Sequence, residues 1–361
     1  MHIHPSPAAV RRQLAFHLSL LLIPSLLLST GCGRSNQKRL PISATPGKAV
    51  SGKQFKVAVI LSGSETDHGW NQDAVTAMQA VQQKLNLPAA DVSIKEMATT
   101  PEEQKNNLEA YADLGYNVVI GHGEEYQAPA LQMAPDYPNT MFVISSGDKV
   151  ASNVAPIVFK LEDGAYLLGM LAGGMSKAGI VGSVGAQAIA PVKSVFTAFK
   201  LGAMAANPNI KVLDPVYTND WEDVDKAKEA TLPLIQEGAD VIIQDLDSAS
   251  QGVFNAVEQS STPSHPVYAL GTNNDQNSAA PGVVLASAPI YCTPVFESIC
   301  QQVELGTFKP SVVPYGLPQG VIGFVINPAL QAKIPASLLQ KLTTAEAQIK
   351  SGSLKVPMAG E

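Results

Sequence analysis

Within five residues, Asp67-His68-Gly69-Trp70-Asn71, the chain sets a carboxylate, an imidazole, an indole and a carboxamide side by side. An indole offers flat apolar surface, and the polar groups around it offer directional donors and acceptors, which together can hold a small organic ligand. Asp67 with His68, or His122 with Glu124 and Glu125, could instead ligate a metal ion, although solvated loop residues are the plainer reading of both. Motifs for covalent or nucleotide chemistry do not occur. There is no G-x-S-x-G elbow, Gly63-Ser64-Glu65 lacks its spacing, no Walker A sequence is found, and Gly121-His122-Gly123 is too short for a dinucleotide fingerprint. Of the six histidines, His2, His4 and His17 lie in the N-terminal leader, which leaves few for catalysis. The expectation is a binding protein with no enzymatic activity, no cofactor and no metal.

The elements that must position these groups read as strand, loop and helix. Val57 to Leu61 is a continuous apolar run, as expected for a strand buried on both faces of a parallel sheet. Residues 62–69 are polar and rich in Gly and Ser, and from Trp70 the spacing of Ala74, Val75, Met78 and Val81 becomes helical. In open α/β sheets ligands bind beyond the carboxyl ends of the strands, so Asp67, His68, Trp70 and Asn71 fall at the mouth of a site. The alternation continues with strands at 92–96, 118–120, 141–144 and 154–160. A second series has strands at 180–184, 211–217, 241–244, 267–270 and 283–287, with helices at 192–206, 224–237, 251–259 and 294–305. Regular alternation implies right-handed βαβ units and parallel sheets. The expected fold class is α/β, with two doubly wound parallel-sheet lobes joined by a multi-strand hinge and their strand-end loops pooled in one cleft. Hinge segments are expected near 177–180, 286–289 and 316–320, and a closing helix at 335–351 packed through Leu338, Leu339 and Leu342. Gly164, Gly169 and Gly173 weaken the helix that starts at Leu161, so something must approach it closely.

Leader and body differ in charge. Arg11 and Arg12 precede an interrupted apolar stretch and then Ser29-Thr30-Gly31-Cys32. This describes a secretory signal peptide rather than a membrane span, and the closing Gly-Cys resembles a bacterial lipobox in which Cys32 is lipidated. Plain cleavage with an incidental cysteine is the alternative. Residues 33–54 carry five basic residues, no acid and no apolar period, and read as a tether. The whole chain has 24 Lys and Arg against 31 Asp and Glu; residues 1–54 hold seven of the former and none of the latter, which leaves 17 against 31, net −14, in the body. An acidic body argues against nucleic-acid binding. Cys292 and Cys300, eight residues apart on an expected helix, would lie ~12 Å apart along its axis and read as two buried free thiols.

Four stretches in order carry a specific resemblance. They are Gly69-Trp70-Asn71-Gln72; Glu162-Asp163-Gly164-Ala165-Tyr166-Leu167-Leu168-Gly169; Tyr217-Thr218-Asn219-Asp220-Trp221 with Gly238-Ala239-Asp240-Val241; and Gly271-Thr272-Asn273-Asn274-Asp275-Gln276. With the closing segment 349–357, the chain from Phe55 to about Pro357 resembles the basic membrane protein family of substrate-binding lipoproteins, which serve ABC importers and include purine nucleoside receptors. The resemblance implies a type I periplasmic-binding fold and a monomer. It further implies an exported, lipid-anchored protein on the periplasmic or extracellular face that delivers a small-molecule ligand to a membrane permease. It divides the chain into a signal peptide (1–31), an anchor and tether (32–54), an N-terminal lobe (55–177 with 288–318) and a C-terminal lobe (178–287 with 319–361).

In the nucleoside-binding relatives two aromatic rings sandwich the purine, while acids and a lysine hold base and ribose. Trp70 and Trp221, the only tryptophans, fall on the two aromatic positions, with core packing as the alternative. Asn71 aligns with a family asparagine, and Tyr126 and Asp247 match a branch that carries tryptophan at the stacking sites. Departures concern the ribose. A family acid appears as Ser146, the first acid of the Asp-x-Asp-Gln stretch appears as Asn273 with Asp275 retained, and the lysine position falls near Ile290 with no lysine close by. The implied ligand set is thus Asp67, Trp70, Asn71, Tyr126, Ser146, Trp221, Asp247, Asn273 and Asp275, holding a purine base or a nucleoside-like flat heterocycle. A ligand sensor for a membrane receptor, or a binder of a non-purine small molecule, are the alternatives.

Overall fold

The computed structural model describes residues 54–357; the leader, Cys32 and nearly all of the tether lie outside the described residues. In chain order the elements are β1 (Val57–Leu61), α1 (Trp70–Lys84), β2 (Val92–Lys95), α2 (Pro101–Asp113), β3 (Val118–His122), α3 (Gln127–Met133), β4 (Met141–Ser145), β5 (Val154–Phe159) and α4 (Leu161–Met175). They continue as β6 (Ile180–Gly185), α5 (Ala190–Ala206), β7 (Lys211–Val212), β8 (Val216–Tyr217), α6 (Val224–Gln236), β9 (Val241–Asp245), α7 (Ser250–Ser260), β10 (Tyr268–Asn273) and β11 (Val284–Pro289). The last are α8 (Thr293–Glu304), β12 (Val313–Tyr315), β13 (Val325–Ile326) and α9 (Ala336–Ser351).

Two sheets form, as the alternation requires. The first has the order β12-β5-β4-β3-β1-β2 and is parallel throughout. The second has the order β13-β11-β10-β9-β6-β7, parallel except where β13 meets β11. Every residue of β1, β3 and β9 is buried, which is why β1 reads as an unbroken apolar run and β3 and β9 open with one, their last residues, His122 and Asp245, being polar where the strands reach the site. The strand expected at 211–217 is broken: β7 and β8 both pair with β6, and after Leu213 N, which still donates to the Val181 carbonyl of β6 at 2.9 Å, Asp214-Pro215 leaves the ladder, since proline has no N–H to give it. Two short strands escaped the sequence reading. β12 and β13 are three and two residues long, too short for any period to show.

Gly169 and Gly173 of α4 are explained by α5, while Gly164 makes room for Ala288 of β11 and the Gly323 carbonyl. A Cβ on Gly169 would sit 2.0 Å from the Phe199 carbonyl oxygen, and one on Gly202 would sit 2.0 Å from that of Tyr166. The two backbones touch, and only glycine permits it. α4 falls in the 55–177 segment assigned above to the first lobe, yet its small-residue face packs on α5, which follows β6 of the second sheet. α9 adds Leu338 against Gly174 and buries Leu342, Ala345 and Ile349, with Leu339 only half-buried. Cys292 sits just before α8 and Cys300 inside it; both are free and buried, and burial pushes both thiols up. Among the described residues no helix is long and apolar enough to cross a membrane.

Candidate functional site

The loop between β1 and α1 is held by Asp67. Its carboxylate is fully buried and accepts from the backbone N–H groups of Gly69 (2.9 Å), Asn71 (2.8 Å) and Gln72 (2.9 Å). These are unpaired donors at the start of α1, where a negative charge is favoured. Asp67 also takes the Asn71 side-chain amide at 2.9 Å. Asn71 Oδ1 in turn accepts from Gly63 N at 3.4 Å. Asp67 and Asn71 therefore stand behind the cavity wall rather than in it.

Trp70 does face the cavity. Its ring lies on His122 with centroids 4.1 Å apart and meets Phe159 edge-on at 5.7 Å. His122 ends β3 and is fully buried. Its Nε2 lies 3.0 Å from the Trp70 carbonyl oxygen, an acceptor only, so Nε2 carries the proton and Nδ1 accepts from the Ser145 hydroxyl at 2.9 Å. Burial pushes its pKa down to about 3, and the imidazole is neutral. The sequence reading offered His122 with Glu124 and Glu125 as metal ligands or solvated loop residues. Instead it is a core platform for Trp70, and among the described residues no cluster of metal-ligating side chains forms.

From the second sheet, Trp221 enters through the loop after β8. Asp220 Oδ1 takes the N–H groups of Glu222 and Asp223, both at 3.1 Å, and the Trp221 carbonyl accepts from Ala249 N at 3.1 Å. Trp70 and Trp221 line one cavity. Its remaining apolar surface comes from Leu161, Ile189, Pro191 and Val192, and its polar surface from Ser62, Ser146 and Asn273 with the acids Glu124, Glu125, Asp245 and Asp247. Ser146 and Asn273 follow or end a strand with positive φ of 58° and 64°, the turn that brings each to the cavity. No Lys, Arg or His is among the described residues that line it.

Asp247 is the most crowded of the acids. It is 5% exposed, and Oδ2 receives the Asn71 amide across the cleft at 3.3 Å. Burial, then Asp67, Glu222, Asp245 and Glu125, push its pKa well up. Asp245 accepts from Asn273 Nδ2 at 3.1 Å, and burial raises it to about 6. Burial also raises Glu125. A second contact across the cleft runs from Gln276 Nε2 to the His68 carbonyl at 3.5 Å.

Of the nine residues expected at the site, Trp70, Ser146, Trp221, Asp247 and Asn273 line the cavity together. Tyr126 does not: its ring is buried in the core against Gly121, where a Cβ would meet the ring at 2.6 Å. Asp275 does not either. It is exposed, and its carboxylate accepts from Asn277 N at 3.1 Å within the turn. Glu125, Asp245 and the apolar wall were not foreseen. Asp245 closes β9, so the strand-end rule could have found it.

A family model described as ABC transporter substrate-binding protein PnrA-like matches residues 54–358. The transcriptional activator protein med of Bacillus subtilis is 30% identical over 303 residues, covering 84% of this chain and 88% of that one. A purine-binding protein of Brucella abortus is 26% identical, covering 87% and 86%. An ABC transporter solute-binding protein from Conexibacter woesei superposes with a TM-score of 0.67 at 25% identity, covering 84% and 99%. One from Aeropyrum pernix reaches 0.76 at 18% identity, covering 85% and 94%. The chain belongs to the PnrA-like family of ABC transporter substrate-binding proteins.

Proposed function

We propose that this substrate-binding protein captures a purine base, or a nucleoside-like flat heterocycle, between Trp70 and Trp221 and delivers it to a membrane permease from a lipid anchor on Cys32. One observation carries the proposal: the only two tryptophans come from strand-end loops of opposite sheets and line the same cavity. Two indoles suit a flat ring with polar edges. The Brucella relative named for purine binding supports the ligand class. Ligand held by both lobes stabilises the closed arrangement, in which Asn71 meets Asp247, by its differential affinity for that state.

Titration of the purified protein with adenine, guanine, hypoxanthine and their nucleosides, followed by tryptophan fluorescence and calorimetry, tests this. Saturable binding of at least one is expected; silence towards all of them removes the purine assignment. The Bacillus subtilis relative named as a transcriptional activator favours a second reading, a sensor that passes ligand occupancy to a membrane receptor. A response to ligand in cells lacking the permease would support it.

A further inference from the structure

The cavity wall holds more acceptors than it has donors to match. Asp247 Oδ1 on this wall is buried without a partner; Glu222 Oε1, also buried without one, lies close to Gly63 in the adjoining space that Trp221, Glu125 and Asp247 line as well. Asp245 and Glu125 line the cavity itself. Of the nearby donors, Trp70 Nε1 is engaged on the His122 carbonyl, Asn71 Nδ2 on Asp67 and Asp247, and Asn273 Nδ2 on Asp245, which leaves the Trp221 indole N–H and the Ser146 hydroxyl to meet a ring acceptor. Among the described residues no lysine or arginine lines the space to balance the acids. A carboxylate only accepts, and a buried one left unpaired is costly. A ligand that seats well must therefore bring N–H donors, while a carbonyl pointed at these oxygens would meet lone pairs with lone pairs.

We infer that Asp247 and Glu222 make this cleft select an amino-substituted ring edge over an oxo-substituted one, and reject rings that carry an anionic group. The inference rests on the cleft being a purine-class site and adds which edge of the ring is read. A proton on Asp247 would supply one donor, but Glu222, Asp245 and Glu125 would still present acceptors. Sites built around unpaired polar groups discriminate strongly against ligands that fail to pair them.

Adenine and hypoxanthine differ in this edge and test the inference by calorimetric titration of the full chain, with adenosine against its monophosphate as a second pair. The expected result is adenine bound about tenfold or more tighter than hypoxanthine, and no measurable binding of the monophosphate. Asp247→Asn replaces one acceptor by a donor and should narrow the adenine preference by improving hypoxanthine, whereas a merely structural role would weaken both alike. Glu222→Gln, on a less buried side chain, should shift the ratio in the same direction and decides the matter should Asp247→Asn fail to fold. Equal binding of the two bases, or an unchanged ratio in Glu222→Gln and in a folded Asp247→Asn, overturns the inference and leaves the purine assignment standing. No binding of either base or of adenosine overturns both.

Discussion

The Trp70 indole lies on the His122 imidazole at an interplanar angle of 23°, and the two residues exchange hydrogen bonds, Trp70 Nε1 to the His122 carbonyl at 3.2 Å and His122 Nε2 to the Trp70 carbonyl at 3.0 Å. One face of the indole is thereby occupied, so a ligand ring in the cavity can stack only on the other. The ring is also fixed in place before any ligand arrives, which lowers the entropic cost of binding. His122→Ala should weaken ligand binding several-fold, on the order of 1 kcal/mol, although His122 does not line the cavity. In a Trp221→Phe background, time-resolved anisotropy should report faster motion of Trp70. Unchanged anisotropy would show that the imidazole does not hold the indole.

The two indoles should matter separately. Trp70→Ala and Trp221→Ala are each expected to cost roughly 1–3 kcal/mol in binding, the range for ring stacking on an aromatic side chain. Calorimetry on both variants checks this, and near-wild-type affinity in both would remove the stacking role.

Stability should respond to pH through His122. Its folded pKa of about 3 lies below its ordinary value of 6.5, so the unfolded chain binds the extra proton between those limits. The His122 contribution is therefore complete above about pH 6.5 and declines as the pH falls towards 3, by about 2–3 kcal/mol at pH 4.5. Asp73, raised to about 6 by burial, works in the opposite sense: its ionisation costs stability as the pH rises from 3.8 to about 6. In urea unfolding, the penalty of His122→Gln should shrink between pH 7 and pH 4.5. Asp73→Asn should be better tolerated at pH 7 than at pH 4. A pH-independent penalty for His122→Gln would mean that the imidazole titrates normally.

Contact between α4 and α5 leaves no room for a methyl group. Gly169→Ala should lower stability by about 1–3 kcal/mol, the range for forced overpacking, read as a shift in the urea midpoint. A shift of less than a few tenths of a kcal/mol would show that the helices separate easily.

The proposed lipid anchor rests on a single atom, the sulfur of Cys32. Cys32→Ala is expected to move the protein from the membrane fraction to the soluble one on cell fractionation, while wild type incorporates labelled fatty acid. Equal partitioning of both forms would argue for plain signal cleavage.

Much of this was legible in the sequence because parallel strands buried on both faces leave unbroken apolar runs, and such runs point to their own carboxyl-end loops. Those loops carry Trp70, Ser146, Trp221, Asp247 and Asn273, which meet around one cavity. Gly169 and Gly173 of α4 likewise required a near neighbour, and α5 supplies it. Side-chain direction inside a loop was not legible. Glu125 and Tyr126 are adjacent, yet the first faces the cavity and the second the core, since each step of the short 3-10 turn that holds them rotates the side chain by about 120°. Asp275 turns to solvent while its neighbour Gln276 is buried and reaches His68 across the cleft. His122 has no local signal at all: its burial, its neutral state and its stacking on Trp70, 52 positions away in the chain, depend on β3 folding beside β1. Sequence by itself determined the long buried strands, the loops at their ends and the acidic character of the body, but not the two- and three-residue strands β7, β8, β12 and β13. Only the tertiary structure decided which acids share one enclosed space without a balancing cation, because burial and pairing belong to no residue alone.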